Sequence, residues 1–264
     1  MLDLQSLQKL IMNKQTVGTL YLIPNTLGDE NREDQLRWIL PNEVSTQAAK
    51  INHWVVENAK TARAFLKAVH SVTPLQKPLQ EIQMNEWRGP RSSMNPKELI
   101  TPLLQGIDVG LMSEAGLPAV ADPGAEIVAA AHQAGAKVVP MVGPSSLMLA
   151  LMASGMNGQR FLFHGYLPIK NLERTQTLKS LEAESRKFRQ TQIWIETPYR
   201  NQGMLEHLMQ TLNGETKLCV AIDLTLPNQQ ILSMSVSGWK NWMKNHMGEL
   251  SNLDRRPAVF LLLA

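Results

Sequence analysis

The sequence predicts an α/β protein of two domains, the first on a mostly parallel sheet and the second on a mixed sheet. Three observations carry this expectation. Short apolar runs rich in β-formers alternate with helical patterns through the first half. Towards the C-terminus, strand patterns follow one another with no helix between them, which suits antiparallel neighbours. The small-residue stretch Gly155-Met-Asn-Gly158 offers a hinge, giving domains over 1–154 and 159–264. At 264 residues, 44% hydrophobic and 19% charged, the chain can bury cores of this size.

The elements follow in order. Gly18–Ile23 reads as a strand and Pro24–Asp29 as its loop. His53–Glu57 is a second strand. Asn58 caps a helix over Ala59–Val69, whose Ala62, Phe65, Leu66 and Val69 share one face. Leu79–Met84 is a weaker strand. Asn95-Pro-Lys-Glu98 combines an N-cap, a first-position proline and an acid three residues on, predicting a helix to about Gln105. Ile107–Met112 is a strand. Asp122 and Pro123 open a helix that Gly135 ends. Lys137–Met141 is a strand, and Ser145 or Ser146 caps a helix over Leu147–Ser154.

Beyond the hinge come a strand at Arg160–His164, a polar helix at Leu172–Arg189 and a strand at Gln192–Glu196. Thr197-Pro198 caps a helix over Arg200–Leu212. Strands at Lys217–Thr225 and Gln230–Val236, a short helix at Trp239–His246 and a strand at Ala258–Leu263 complete the pattern.

Composition narrows the function. The single cysteine, Cys219, excludes an internal disulfide and a cysteine-based metal cluster. The six histidines show no ligand spacing, so no metal is expected. The N-terminal stretch is too polar for a signal-peptide core, and the apolar runs Leu147–Ala153 and Ala258–Ala264 are too short to span a bilayer. The expected location is the cytoplasm, away from membranes. Residues 1–152 hold 13 basic and 14 acidic side chains, net −1, and residues 153–264 hold 13 and 9, net +4. That asymmetry admits an anionic partner, but it is small enough for an ordinary solvated surface.

The loops carry the chemistry. No Gly-x-x-x-x-Gly-Lys-Ser/Thr is present, no Gly-x-Gly-x-x-Gly follows the first strand, and no Gly-x-Ser-x-Gly elbow occurs. The stretch Leu111–Gly124 instead leaves a strand into a small-residue loop with acids and no Lys or Arg. Such a loop is a poor phosphate cradle. It suits a cationic or neutral ligand that uses backbone hydrogen bonds. With Pro24–Asp29, Gly143-Pro-Ser-Ser146 and Glu196-Thr-Pro-Tyr-Arg200 it forms a set of strand-end loops, where open α/β sheets bind ligands.

These residues resemble the tetrapyrrole methylase superfamily, and most closely its ribosomal RNA small-subunit methyltransferase I branch. The resemblance rests on Gly18–Asp29, on Ser113-Glu-Ala-Gly-Leu-Pro…Asp122-Pro-Gly124, on Val138–Ser146 followed by Phe161–Pro168, on Glu196–Arg200 and on Val220–Thr225, in that order. It implies S-adenosylmethionine as methyl donor, two α/β domains with the donor in a cleft between them, and a homodimer. Carried over, Pro24 and Leu27 would line the cleft entry. Glu114 and Leu117 would hold the donor's methionine end. Ser145 and Ser146 would meet its carboxylate, Thr197 and Ala221 would line the second wall, and Pro257 would lie near the adenine.

Two segments depart from that branch. Its Glu-Asp-Thr-Arg is here Glu57-Asn-Ala-Lys60, and its His/Asn-rich segment is here Met84–Arg91, without histidine. Glu57 and Lys60 are the candidate catalytic pair on the acceptor side, although Glu57 is equally suited to a helix N-terminus. Trp87, Arg88 and Arg91 either contact a nucleotide or form an ordinary surface loop. Tyr199 and Arg200 similarly fit a ligand contact or an exposed helical turn. Met141, Met148, Met152 and Met156 read as core filler, and Trp239 and Trp242 as packing or dimer contacts. The expected function is methylation of RNA, ribosomal by the resemblance, at ribose or base. The alternatives are a small-molecule or tetrapyrrole acceptor, or a non-catalytic S-adenosylmethionine-binding scaffold.

Overall fold

The computed structural model describes residues 17–28, 32–90, 92–246, 248 and 252–264. Asp29 and Arg91, both named above, lie outside the described residues, as does the N-terminal stretch to residue 16. The chain divides into two compact units, 1–144 and 145–264.

The first unit is built on five parallel strands: β1 (Thr19–Leu22), β2 (His53–Val56), β3 (Gln83–Glu86), β4 (Val109–Met112) and β5 (Lys137–Pro140). Their order is β3-β2-β4-β1-β5, with Leu20 beside Val109 and Val138, and Trp54 beside Gly110. Helices cover both faces, as a parallel sheet requires. Trp54, Val56 and Met112 pack on one side with Phe65 and Leu66. Val55, Val109 and Leu111 pack on the other with Leu99, Leu103 and Ile127. Gly110 is forced by that packing, because a Cβ there would lie 2.7 Å from the Trp54 ring.

The helices of this unit are α1 (Arg32–Ile39), α2 (Asn42–Ala48), α3 (Ala59–Val72), α4 (Pro96–Leu99), α5 (Thr101–Leu104) and α6 (Ala125–Gln133). Asn58 caps α3 as expected, accepting from the Lys60 N–H at 2.9 Å. The Asn95 and Glu98 capping box also forms. Four expectations need correction. The single helix after Asn95 is two turns-long pieces meeting at Ile100, because Pro102 has no N–H to continue the ladder. The third strand starts at Gln83, after a 3-10 turn over Leu79–Glu81. Asp122 and Pro123 do not open α6; it starts at Ala125 behind Gly124, whose φ of 141° only glycine tolerates. Helices α1 and α2 occupy a stretch for which no helix was expected.

The second unit carries β6 (Phe161–Tyr166), β7 (Thr191–Ile195), β8 (Lys217–Ile222), β9 (Gln230–Ser235) and β10 (Ala258–Leu263), ordered β6-β7-β10-β8-β9. β6 and β7 are parallel and the remaining pairs are antiparallel, the mixed sheet that the sequence predicts. Trp194 stacks on Phe260 at 5.8 Å, and the Trp239 indole donates to the Leu218 carbonyl at 2.8 Å. The helices are α7 (Ser146–Ser154), α8 (Asn171–Phe188), α9 (Asn201–Thr211) and α10 (Val236–Asn245). α7 packs on β8, β9 and β10 and ends at Gly155 in the left-handed region. Two of the methionines read as core filler are exposed: Met152 at 79% and Met148 at 43%. α7 is apolar all round, so only one of its faces can reach the sheet. Among the described residues no helix is long and apolar enough to cross a membrane.

Candidate functional site

Three carboxylates converge at the carboxyl ends of β2 and β4. Glu57 follows β2, and its Oε2 accepts the backbone N–H of Glu114 at 3.0 Å. The Thr61 hydroxyl, one turn into α3, donates to Glu114 Oε1 at 3.3 Å. The Ser113 hydroxyl, directly after β4, is hydrogen-bonded to Asp122. The loop after β1 completes the wall. Asn25 is fully buried, and its Nδ2 donates to the Glu114 carbonyl at 2.7 Å. Its N–H donates to the Gly116 carbonyl at 2.9 Å. A buried polar side chain held by two main-chain partners fixes one loop against the other.

The electrostatics single out Asp122. Its carboxyl is raised from the ordinary 3.8 to about 7, first by burial and then by the negative charge of Glu57, with a smaller push from Glu114. The Ser113 hydrogen bond works in the opposite direction. Near neutral pH, then, one of the three acids exchanges its proton readily, and the cluster gains most from a cation placed beside it.

The loop's shape is as specific as its charge. Ala119 and Ala121 both sit at φ 64°, a region costly for residues with a Cβ, and strain of this kind concentrates at functional loops. Gly116, at φ 65°, lies so close to Leu27 that a Cβ would meet its side chain at 3.1 Å. Gly143 lies on Pro24, where a Cβ would stand 2.2 Å from the proline ring. Pro24, Leu27, Glu114 and Leu117 therefore belong to one set of interlocked loops, with Glu114 exposed and Leu27 and Leu117 half-buried.

The other candidate residues lie in the second unit. Ser145 caps α7 through its hydroxyl, accepting the Met148 N–H at 3.4 Å, and Ser146 is the first helical residue. Thr197 is half-buried and forms no side-chain cap; a 3-10 turn over Pro198–Arg200 leads into α9 instead. Ala221 is buried within β8, opposite Val259. Pro257 is exposed, and its carbonyl accepts the Asp223 N–H at 3.0 Å. Tyr199 is exposed, whereas Arg200 forms an ion pair with the fully buried Glu196 carboxylate at 2.9 Å.

On the expected acceptor side, Trp87 is a core residue, 4% exposed, because its strand-end position turns the indole under the sheet. Arg88 is exposed and reaches back to the Glu57 carbonyl at 3.2 Å and the Glu86 carboxylate at 3.2 Å. Lys60 is exposed on the first turn of α3. Cys219 is buried, and its thiol is pushed up to about 12 by burial, which makes it chemically inert. Among the described residues no group of three or more His, Cys, Asp or Glu side chains is arranged to hold a metal ion.

Reading the sequence missed Asn25, Thr61, Ser113 and Asp122 as members of this site. The signal for Asp122 was its place in the strongest motif; it was read as a helix opener instead.

The fold and the motif loops define the class. The chain belongs to the tetrapyrrole (corrin/porphyrin) methylase family, whose model matches residues 47–238. More particular relatives are proteins named ribosomal RNA small subunit methyltransferase I. The one from Vibrio cholerae is 36% identical over 145 residues, covering 55% of this chain and 49% of the relative. The one from Bacillus subtilis is 32% identical over 231 residues, covering 86% and 72%. The chain thus spans about half the length of the Vibrio relative. Among solved structures, a cobalt precorrin-4 methyltransferase of cobalamin biosynthesis shares the fold, with a TM-score of 0.54 over 93% of this chain and 94% of that one, at 14% identity.

Proposed function

We propose that this protein is an S-adenosylmethionine-dependent methyltransferase of the cytoplasm, acting as a homodimer, whose acceptor is ribosomal RNA. The observation that carries the reading is the acid-lined loop system at the ends of β1, β2 and β4, whose β4 loop holds no Lys or Arg, in a chain of the methylase family whose relatives bear that RNA in their names. The chemistry of the side chains fits the donor. S-adenosylmethionine supplies a methyl carbon activated by a sulfonium and carries an ammonium, with no phosphate. Glu57, Glu114 and Asp122 offer negative charge to such a ligand, and the loops of Asn25 and Gly116 offer main-chain groups. Pro24 and Leu27 are assigned to the entry of the donor site, and Glu114 and Leu117 to the donor's methionine end. The assignment of Ser145, Ser146, Thr197, Ala221 and Pro257 to the donor rests on the family resemblance.

Methyl transfer from a sulfonium is a direct displacement, so the protein's work is alignment. A hydroxyl or ring nitrogen on the acceptor must also lose a proton. Glu57 is held in place by the Glu114 N–H and stands beside Asp122, which makes it the candidate base. Lys60 lies one turn further on, towards an anionic acceptor.

The test is transfer of labelled methyl groups to small-subunit RNA from a strain lacking the gene. Incorporation there, and none into wild-type RNA, is the expected result. Absence from both would refute the RNA acceptor. Transfer to a porphyrin instead would establish a tetrapyrrole acceptor, and donor binding without turnover on either would establish a scaffold.

A further inference from the structure

A groove of about 700 Å³ lies between α1 and α3 and shares Thr61 with the donor-binding cluster. Arg32 lines it from α1; Lys60, Thr61, Ala64 and Lys67 line it from α3. We propose that this groove holds the sugar–phosphate backbone of a single-stranded RNA segment, with Arg32, Lys60 and Lys67 facing its phosphates. The proposal rests on the RNA reading above and adds the path by which the acceptor reaches the donor.

The arrangement of the cations argues for an anionic polymer. Lys60, Ala64 and Lys67 are spaced i, i+4, i+7, so they share one face of α3. The short Ala64 keeps the floor between the two ammonium groups low. Along the helix axis the lysines are about 10.5 Å apart, so they face separate points along a chain. A compact single anion would need the charges to converge on one point, and a row matches a chain.

Arg32 and Lys60 stand in the first turns of α1 and α3, where the helix dipole favours acids. The first turn of α3 contains no acid at all. Arg32 is also half-buried, and burial lowers its guanidinium from the ordinary value. An anion in the groove would offset the dipole cost at Lys60.

The groove also leads to the donor-binding cluster. Thr61 lines the groove and donates to Glu114 at 3.3 Å. Asn25 accepts from Arg32 at 3.3 Å through its Oδ1 and donates to the Glu114 carbonyl through its Nδ2. Within one unit the β4 loop carries acids and no bases, and α3 carries Lys60 and Lys67 along one face. This matches a cationic donor meeting an anionic acceptor. Glu33 and Asp34 line the groove from α1, next to Arg32. They can accept hydrogen bonds from base amino groups or ribose hydroxyls, which a single strand exposes and a duplex largely hides.

The test is fluorescence anisotropy of a labelled single-stranded RNA across a salt series. It compares the full chain with the double variant Lys60→Glu/Lys67→Glu, the milder Lys60→Gln/Lys67→Gln, and Lys179→Glu on α8 as a control. Removing two phosphate contacts should lower the salt slope by about 1.4, equivalent to about a 25-fold loss at about 0.1 M salt. The control should match wild type in RNA binding, and calorimetry should show that the control and the single variant Lys67→Gln bind the donor as wild type does. If wild type binds RNA and both double variants keep its affinity and slope, the groove is not the RNA path, and the methyltransferase reading stands. If only a small anion competes for the groove and RNA does not, the proposal fails as well. If wild type binds the donor but no RNA, the RNA reading falls and takes this proposal with it.

Discussion

Replacing Asp122 by Asn should stabilise the protein, and by more as the pH rises. In the folded chain the Asp122 carboxyl ionises at about 7, against 3.8 unperturbed. Between those values the unfolded chain has already released the proton that the folded chain retains. The sign follows directly: with more protons bound in the native state, stability falls as pH rises through this window and levels off above about 7. Taken at face value, the shift corresponds to about 4 kcal/mol. Asp122 is only half-buried, so screening by solvent reduces this to about 1–2 kcal/mol. Asparagine keeps a partner for Ser113 and carries no charge at any pH. Urea unfolding of wild type and Asp122→Asn at about pH 4 and about pH 8 isolates the cluster's effect, since carboxylates remote from it cancel in the difference. The variant's advantage should grow by about 1–2 kcal/mol between the two. An advantage that is flat, or that shrinks with pH, would show that Asp122 ionises normally and that the three acids do not interact.

Other perturbations test other parts of the structure. Glu114→Arg places a cation where a sulfonium or ammonium should bind, and should weaken S-adenosylmethionine binding by at least about tenfold in calorimetry; unchanged affinity would remove Glu114 from the donor site. Arg200→Ala removes the ion pair of the fully buried Glu196 carboxylate, which keeps the Thr197 N–H at 2.9 Å, and should cost about 2 kcal/mol in denaturant unfolding. A loss below about 0.5 kcal/mol would mean that the remaining partners or water hold the carboxylate without Arg200. Gly110→Ala drives a methyl group into the Trp54 ring, 2.7 Å from the Cβ position, and should destabilise the first unit by about 1–3 kcal/mol. A stability indistinguishable from wild type would show that the sheet yields there.

Much of the fold was legible because local signals agreed with the tertiary structure. Asn58 caps α3, the Asn95 and Glu98 box forms, and Ala258–Leu263 is a strand with the bounds its apolar run suggests. The failures have particular causes. Helix α1 carries Arg, Glu and Asp in its first positions and an exposed Trp38, so its apolar stripe is only Leu36, Ile39 and neighbours, too thin for periodicity to detect. The helix after Asn95 broke at a proline whose missing N–H was plain in the sequence but outweighed by the strong cap. Polar neighbours leave Trp87 either a nucleotide contact or part of a surface loop in the sequence, and only its position directly after β3, which pairs with β2, shows it to be a core residue.

The donor-side site was legible as a motif and not as a cluster. Ser113, Glu114 and Asp122 are close in sequence, but Glu57, Thr61 and Asn25 join them only because β4 lies between β2 and β1. No pattern of spacing along one chain encodes that order. The left-handed Ala119 and Ala121 were equally hidden, since alanine does not announce a positive φ as glycine does. The rows of charge along α3 were visible in the sequence, yet the groove that gives them meaning needs α1 opposite.

The most direct measurement is calorimetric titration of S-adenosylmethionine into the full chain near pH 7, repeated in buffers of different ionisation enthalpy. A cation arriving beside Asp122 should drive off its proton, so one donor should bind per chain with release of up to about one proton, and Asp122→Asn should bind without that release. A chain that takes up no S-adenosylmethionine at millimolar concentration would deny that these loops receive a methyl donor at all.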